Sequence, residues 1–223
     1  MNWQDEGFLL SKNNFDENSL IIEAFTLNHG KYTGIVYGGS SRKLKKILQI
    51  GNKMMFFLKS KNENRVGYFS LELIKPITPF LFDEKRKITA ILAASNLLKM
   101  LLPERQSNKK IYQSFDNLID KILSKNWIKD YIFWEFHLIK ELGFEFTLPD
   151  FDLKKNKPVN EVQINNKYYK IPKIYFNNNS LEFSNNEIRD ALMFNKNLLL
   201  ENFAIHNRLN LPLSRSILER YYN

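Results

Sequence analysis

The chain of 223 residues is basic, with 33 Lys and Arg residues against 24 Asp and Glu residues and a formal net charge of +9. It contains no cysteine, which excludes disulfides, thiolate zinc sites, iron–sulfur clusters and a cysteine nucleophile. No run approaches the roughly 20 apolar residues of a membrane span, and the N-terminal residues carry acids where a signal peptide carries bases. We therefore expect a cytoplasmic protein with no membrane contact and with an anionic partner, most commonly nucleic acid.

Alternating and β-branched apolar runs predict five strands in the first 76 residues, separated by turns rich in Asn and Gly. The predicted strands cover residues 7–12, 19–26, 31–37, 52–58 and 66–74. Between the third and fourth strands, residues 40–49 begin with Ser and space Leu44, Ile47 and Leu48 as a short helix does. This order is typical of an OB-fold, a five-stranded Greek-key barrel that binds nucleic-acid strands. An SH3-like barrel is the main alternative, but it does not account for a helix at that place.

The sequence period changes to that of helices after Pro76. Helices are predicted over residues 83–102, 107–124, 127–142, 184–199 and 214–222. The third has apolar residues on two sides, so we expect it to be central and mostly buried, with Glu135 in a structural hydrogen bond. Gly143 follows where a left-handed cap is needed, and Ser184 with Glu187 has the pattern of a capping box.

Residues 149–179 differ from the helices around them, because they are polar, Asn-rich and strand-like, with a possible hairpin around Asn165 and Asn166. We therefore predict an α+β protein with an OB-fold DNA-binding domain over residues 1–78 and a helical domain over residues 79–223. The helical domain is predicted to contain a small cysteine-free insertion, irregular or strand-like, over residues 144–183.

Positive charge is concentrated in residues 24–62, which contain eight Lys or Arg residues and no acid. Codon bias in an AT-rich genome would enrich Lys throughout the chain, so this local asymmetry favours a surface that contacts phosphates over a merely solvated one. The predicted phosphate contacts are Lys31, Arg42, Lys43, Lys45 and Lys46, with Lys53 as a further DNA-binding cation. Tyr32 and Tyr37 are predicted to stack on bases, although their alternation along one strand lets at most one of them share a given face with the groove.

The sequence carries no pattern that is typical of catalysis. Its three histidines, His29, His137 and His206, lie far apart and lack the short spacings of metal motifs. The run from Gly38 to Ser41 is glycine-rich but does not fit the phosphate-binding loop of nucleotide hydrolases. We therefore expect a protein that is not an enzyme and that uses no metal or other cofactor.

A series of short blocks occurs in a fixed order along the chain. The blocks are Trp3 with Asp5-Glu6-Gly7 and Leu10, Ser19, Phe25-Thr26 with His29-Gly30-Lys31, Gly38-Gly39 with Ser41-Arg42, Leu48-Gln49 with Gly51-Asn52, and Trp134-Glu135 with Leu138 and Leu142-Gly143-Phe144. In this order and spacing, the chain resembles RecO, a family of bacterial recombination mediators, over nearly its whole length. Ile50 departs from the pattern, since the family usually has proline there.

The resemblance implies a protein that binds single- and double-stranded DNA, anneals complementary strands and helps to load RecA onto strands coated by single-strand-binding protein (SSB). It implies RecR and the acidic-hydrophobic C-terminal tail of SSB as direct partners, RecA as an indirect partner, and a place at the nucleoid. In some members of the family the insertion is a four-cysteine zinc ribbon, which the absence of cysteine excludes here.

Two other classes of function stay open at this point. A protein-interaction adaptor would use the basic surface to grip an acidic partner tail. An RNA-binding OB-fold protein would use the same cations and aromatic residues, because telling RNA from DNA takes contacts to the 2′-hydroxyl that the sequence does not reveal. The hypothesis of a DNA-binding mediator places the early cations together on one curved β surface that is shaped to cradle a polyanion.

Overall fold

The computed structural model of the chain describes residues 2–62, 65–144, 161–164, 167–176, 182–204 and 209–223. The chain divides into two compact units, Met1–Leu123 and Ser124–Asn223. The described part of the first unit holds a barrel and three α-helices, while the domain boundary after residue 78, which follows the change of sequence period, stays a prediction. No helix in the described ranges is long and apolar enough to cross a membrane.

Five strands form a closed barrel in the first unit. They are β1 (Asn2–Asn14), β2 (Leu20–Thr26), β3 (Gly30–Val36), β4 (Lys53–Lys59) and β5 (Gly67–Lys75). Around the barrel the order is β1-β2-β3-β5-β4, β4 pairs with β1, and β3 and β5 run parallel. The short helix α1 (Arg42–Ile47) connects β3 to β4. The five predicted strands, the helix between the third and fourth, and the α+β class are therefore confirmed, with the OB-fold arrangement.

The core of the barrel follows from the alternation of apolar residues, because successive side chains of a strand point to opposite faces. On β4, Met54, Phe56 and Leu58 are buried, while Met55 and Phe57 are only partly buried. The same alternation buries further residues of the other strands, namely Leu9, Leu20, Ile22, Ala24, Tyr32, Val36 and Phe69. Full burial of one large apolar side chain contributes about 1.5–3 kcal/mol, so this cluster is the main source of the barrel's stability.

The turn between β2 and β3 is fastened to β1 by Asp5. One carboxylate oxygen accepts hydrogen bonds from the backbone N–H groups of Asn28, at 2.7 Å, and His29, at 3.1 Å. The other oxygen accepts from Asn28 Nδ2 at 2.9 Å, and the His29 ring, with Nδ1 at 2.9 Å from the carboxylate, stacks on Trp3. Burial would raise the pKa of Asp5, but the hydrogen bonds from His29 and Asn28 outweigh burial and hold that pKa below its ordinary value.

Two helices complete the first unit, α2 (Lys85–Leu101) and α3 (Lys109–Lys121). The Asn108 side chain caps α3 by accepting a hydrogen bond from the N–H of Ile111 at 3.0 Å. The buried face of α3 includes Phe115, whose ring packs edge-on against Phe8 of β1. Both helices were predicted from sequence and are confirmed.

The chain between α2 and α3 lies along one part of β3. Glu104 forms a parallel bridge with Lys31, and the N–H of Arg105 donates to the Lys31 carbonyl oxygen at 2.8 Å. β5 pairs with β3 further along, at Gly34 and Ile35. The outer edge of β3 therefore has different partners at its two ends.

In its described residues, the second unit contains three α-helices and a two-stranded antiparallel sheet. The helices are α4 (Trp127–Glu141), α5 (Asn185–Leu199) and α6 (Leu213–Arg220), and the strands are β6 (Glu161–Ile164) and β7 (Lys167–Lys170). Gly143, just after α4, has a φ of +95°, which confirms the predicted left-handed cap. The predicted capping box is confirmed as well, since Ser184 and Glu187 exchange side-chain to backbone hydrogen bonds at the start of α5.

The predicted insertion over residues 144–183 is described in part. Its strands β6 and β7 pair as predicted for the hairpin. The Tyr169 hydroxyl of β7 donates to Glu201 at 2.8 Å, within the π-helical turn Leu200–Ala204 that follows α5. The Asn165-Asn166 turn and residues 145–160 and 177–181 lie outside the described residues.

A buried ion pair joins α4 to α6. Glu135 and Arg215 are 0% and 1% exposed, and the guanidinium contacts the carboxylate twice, Nε to Oε1 at 2.5 Å and Nη2 to Oε2 at 3.0 Å. Arg215 also donates to the Leu192 carbonyl oxygen at 2.6 Å, and the Tyr131 hydroxyl donates to Glu135 at 3.1 Å. The structural role predicted for Glu135 is therefore confirmed.

Candidate nucleic-acid interface

Helix α1 presents a run of cations at the surface of the first unit. The Ser41 hydroxyl oxygen caps the helix by accepting a hydrogen bond from the N–H of Leu44 at 3.3 Å. Leu44 is partly buried and packs against the barrel core, whereas no residue of α1 is fully buried. The remaining polar residues of the helix, all exposed, are Arg42, Lys43, Lys45 and Lys46. The cap and Leu44 therefore hold α1 on the barrel while its cations face solvent.

The four cations of α1 form no ion pair with any carboxylate of the residues that the structure describes. Like charges on neighbouring helix positions repel one another. A bound polyanion would relieve this repulsion and would release its own counterions. The arrangement is therefore suited to phosphates, although the charges alone specify neither the sugar nor the number of strands.

Lys12 of β1 adds a further cation beside α1. Its Nζ donates to the carbonyl oxygen of Leu48, the C-terminal cap residue of the helix, at 2.5 Å. The pKa of Lys12 is lowered by burial and, to a smaller extent, by the nearby positive charge of Lys45. Lys12 was not predicted as a DNA-binding residue, because Lys12 precedes the acid-free stretch of residues 24–62. Only the folded barrel brings Lys12 next to α1.

A groove of about 360 Å³ lies where the pairing of β3 and β5 ends. These strands pair only at Gly34 with Gly67 and at Ile35 with Tyr68. The groove is lined by the last residues of β3 and those just after it, by α1, and by β4 and β5, namely Val36, Tyr37, Leu44, Lys59, Tyr68, Phe69, Ser70 and Leu71. Its size falls within the roughly 300–1,000 Å³ range of small-ligand sites. The short pairing of β3 with β5 therefore leaves a concave surface next to α1.

Two tyrosines stack on each other at this groove. The Tyr37 and Tyr68 ring centroids are 4.7 Å apart with an interplanar angle of 17°, and the residues are 61% and 43% exposed. A hydrogen bond with Tyr68 raises the pKa of Tyr37, with smaller contributions from burial and from the charge of Asp16. Tyr37 was predicted from sequence. Tyr68 was not, because only the register of β5 brings it next to Tyr37.

Two of the predicted DNA-binding residues lie in β3 with internal contacts. Tyr32 is 3% exposed and belongs to the barrel core. Lys31 is partly buried, and its Nζ donates to the carbonyl oxygen of Lys99 on α2 at 2.8 Å. Neither side chain faces the groove beside α1.

Lys53 of β4 is also engaged within the first unit. Its Nζ lies 3.0 Å from a Glu6 carboxylate oxygen and 2.8 Å from an Asp116 carboxylate oxygen. Burial would lower the pKa of Lys53, but the hydrogen bonds from its ammonium to Asp116 and Glu6 raise the pKa overall. The expectation of a single β surface lined by all the early cations is therefore wrong, since four of them lie on a helix and Lys31 and Lys53 have internal partners.

No group of three or more His, Asp and Glu side chains that could hold a metal ion occurs in the described part of the chain. His29 is engaged with Asp5 and Trp3, and His137 is on α4 of the second unit. His206 lies outside the described residues.

The second unit has a pocket of about 440 Å³ between the end of β7 and α5. Its apolar lining includes Ile171, Pro172 and Phe194, and two cations, Lys170 and Lys173, lie at the same pocket. Two acids of α5, Glu187 and Asp190, line it as well. The pocket thus combines an apolar surface with charges of both signs.

Comparison with known proteins gives two family matches that follow one another along the chain. Residues 1–77 match the family described as Recombination protein O N terminal. Residues 84–151 match the family described as Recombination protein O C terminal. The first match covers the barrel and α1, and the second covers α2, α3 and α4.

Individual relatives carry the same name. The chain is 36% identical over 148 residues to DNA repair protein RecO of Cereibacter sphaeroides, which covers 66% of this chain and 62% of that protein. It is 32% identical over 149 residues to the protein of that name in Roseobacter denitrificans, and 36% identical over 149 residues to that of Rickettsia africae, with the same coverage of each chain. The matched part therefore spans somewhat less than two thirds of the length of these relatives.

Proposed function

Since this chain belongs to the RecO family of DNA repair and recombination proteins, we propose that it is a non-enzymatic recombination mediator that binds DNA through the cations of α1. The observation that carries the proposal is the set of four exposed cations on α1, none of them paired with a described carboxylate. In this proposal the chain binds single- and double-stranded DNA, anneals complementary strands and, with RecR, helps to load RecA onto SSB-coated strands.

The physical basis of binding is neutralisation of phosphates. Arg42, Lys43, Lys45 and Lys46 lie on six consecutive residues of helix, and Lys12 adds a charge at its C-terminal end. Each phosphate that a cation neutralises releases counterions, which gives a slope of about −0.7 per contact for single strands in a plot of log K against log salt concentration. The same neutralisation would lower the repulsion between two strands and so favour annealing.

The test is to reverse all four α1 charges, with Arg42, Lys43, Lys45 and Lys46 each changed to Glu. We expect the affinity for a labelled single-stranded oligonucleotide, measured by fluorescence anisotropy, to fall roughly 100-fold or more at low salt. The slope of log K against log salt concentration should decrease in magnitude by about 3. The free energy of unfolding should change little, because no residue of α1 is buried.

The matched control reverses Lys85, Arg86, Lys109 and Lys110 to Glu. These residues are exposed and lie in the first turns of α2 and α3. Acidic side chains at these positions interact favourably with the positive end of the helix dipole, so the substitutions should not destabilise the helices. The control has the same net charge as the α1 variant, so it separates the position of the charges from their sum. Equal affinity of the α1 variant and the wild-type chain would contradict the proposal, and a marked preference for RNA over DNA would favour an RNA-binding function.

A second candidate function is binding of an acidic-hydrophobic partner tail such as that of SSB. It is favoured by the pocket of the second unit, where Ile171, Pro172 and Phe194 offer apolar surface and Lys170 and Lys173 offer positive charge. In this proposal the apolar end of the tail enters the pocket and its acids contact the two lysines.

This candidate is tested by titrating a labelled SSB-tail peptide against salt in parallel with the oligonucleotide. Reversing Lys170 and Lys173 to Glu should weaken peptide binding and leave DNA binding unchanged, while the α1 reversal should do the opposite. If the α1 reversal abolishes peptide binding instead, the basic helix is the protein-interaction surface and the adaptor function is favoured over the DNA-binding one.

A further inference from the structure

The groove beside α1 exposes two large aromatic rings that already have a fixed arrangement. Tyr37 and Tyr68 stack on each other at 4.7 Å and 17°, and both line the groove. Because the rings hold one another in place, a ligand that stacks on them would lose little further side-chain freedom. The pair is therefore a preorganised flat surface with an apolar face and two hydroxyl groups at its rim.

Positive charge flanks this aromatic surface. Lys59 of β4 is the cross-strand neighbour of Tyr68 on β5, is exposed and lines the same groove. Cross-strand neighbours have Cβ atoms about 4.5–5.5 Å apart, so the side chains of Lys59 and Tyr68 start next to each other. Leu44 of α1 lines the groove too, so this helix borders the groove.

A flat aromatic surface bordered by cations complements one chemical class of ligand, an unpaired nucleobase joined to phosphates. Sequence-tolerant single-strand binders combine these two elements, because every base has a π-face and every nucleotide has a phosphate. Bases in a duplex are stacked on each other and paired, so reaching the groove would require one to leave the stack. Backbone phosphates, in contrast, are accessible to the α1 cations in both forms of DNA.

We infer that Tyr37 and Tyr68 stack on an unpaired base, that Lys59 contacts an adjacent phosphate, and that this groove makes the chain prefer single-stranded over duplex DNA. The inference rests on the proposed DNA-binding function, and it assigns different tasks to the two neighbouring surfaces. The α1 cations bind phosphates of either form, and the groove discriminates between the forms.

The experiment compares single-stranded and duplex oligonucleotides of equal length with the wild-type chain and two double variants. Tyr37→Leu with Tyr68→Leu removes the aromatic rings, and Tyr37→Phe with Tyr68→Phe keeps them. For the Leu variant we expect a loss of about 5- to 150-fold in single-strand affinity, the range for one stacked base, with duplex affinity and the salt slope unchanged. The Phe variant should bind both forms as the wild type does.

A second measurement uses the wild-type chain alone, so that it does not depend on the folding of any variant. A strand of abasic sites carries the same phosphates without bases, and its affinity should fall to that of the Leu variant for the normal strand. The Lys59→Met variant should lower the magnitude of the single-strand salt slope by about 0.7.

The inference is overturned if the Leu variant binds single strands as tightly as the wild type, if it loses duplex affinity equally, or if the abasic strand binds as well as the normal one. These outcomes leave the proposed function intact as long as the α1 reversal abolishes binding. A wild-type chain that binds no oligonucleotide of either form overturns both the inference and the proposed function.

Discussion

Helix α1 in the first unit and the Glu135–Arg215 pair in the second use charge in opposite ways. The α1 cations are exposed and lie on a helix without a single buried residue, whereas the guanidinium of Arg215 is 1% exposed and bonded to a carboxylate that is 0% exposed. Removing a charge from α1 leaves every described carboxylate with the partners it already has, while removing Arg215 leaves the buried Glu135 carboxylate without its counter-charge. Charge that is free of internal partners is available to a ligand, and charge that is buried in pairs specifies the fold.

The largest effect is expected from breaking the buried pair. Arg215→Met leaves the Glu135 carboxylate without its counter-charge and the Leu192 carbonyl oxygen without a donor, so the free energy of unfolding should fall by about 3–5 kcal/mol. Urea denaturation followed by the fluorescence of Trp127 and Trp134 measures the change.

The control for this prediction is Arg220→Met, which removes an exposed cation from the same helix and should change the unfolding free energy by less than about 0.5 kcal/mol. Equal stabilities of the two variants would show that the buried pair contributes nothing beyond a surface charge. The folded fraction of either variant should bind DNA like the wild type, because both changes lie within the second unit and the α1 cations lie within the first.

An intermediate effect is expected at Lys53, which was predicted from sequence to bind DNA but is bonded to Glu6 and Asp116. Lys53→Met should lower the unfolding free energy by roughly 1.5–3 kcal/mol, the range for hydrogen bonds to charged groups, with little change in DNA affinity. The comparison is sharpened by Lys45→Met on α1, for which we expect the reverse, a weaker affinity and an unchanged stability. Anisotropy titrations measure the DNA affinity of both variants, and urea denaturation measures their stability. A larger loss of DNA affinity for Lys53→Met than for Lys45→Met would contradict the prediction that the exposed α1 cations, and not the ion-paired Lys53, bind DNA.

The smallest effect is expected at Asp5, whose carboxylate accepts hydrogen bonds from groups of the β2–β3 turn. Because the pKa of Asp5 is lowered in the folded state, its ionised form stabilises the fold above the ordinary carboxylate pKa of about 3.9. This contribution is lost as the pH falls through the lowered pKa of the folded state.

Asp5→Asn should therefore cost about 1 kcal/mol at pH 7, the value of one hydrogen bond, and the difference from the wild type should shrink below about pH 3.9 and vanish once the pH has fallen below the lowered pKa of the folded state. Urea denaturation at a series of pH values measures it. A difference that stays constant down to the lowest pH would assign the effect to packing and not to the ionised carboxylate.

Most of the fold was predictable because it follows from local patterns. The alternation of apolar residues identified all five strands, and the spacing of Leu44, Ile47 and Leu48 identified the helix between β3 and β4. The start of β1 was placed at residue 7, whereas the strand begins at Asn2, because residues 2–6 pair with β4 despite being mostly polar. A strand that is held by pairing and by polar contacts has no hydrophobic alternation to reveal it.

The site was predictable only in its charges. The four cations of α1 were found from a stretch without acids, and this signal is local. The internal partner Asp116 of Lys53 is 63 residues away in the sequence, so the sequence could not distinguish Lys53 from a free cation. Tyr68 and Lys59 were not predicted for the same reason. Only the registers of β3, β4 and β5 place these two residues at the same groove as Tyr37.

The divided outer edge of β3 has a consequence for the behaviour of the chain in concentrated solution. A strand with unpaired N–H and C=O groups is a template for a strand of another molecule and a starting point for edge-to-edge aggregation. Here the bridge of Glu104 and the donated hydrogen bond of Arg105 occupy this edge at Lys31, and β5 occupies it at Gly34 and Ile35. A short connection between two helices thereby shields main-chain groups that would otherwise recruit a foreign strand.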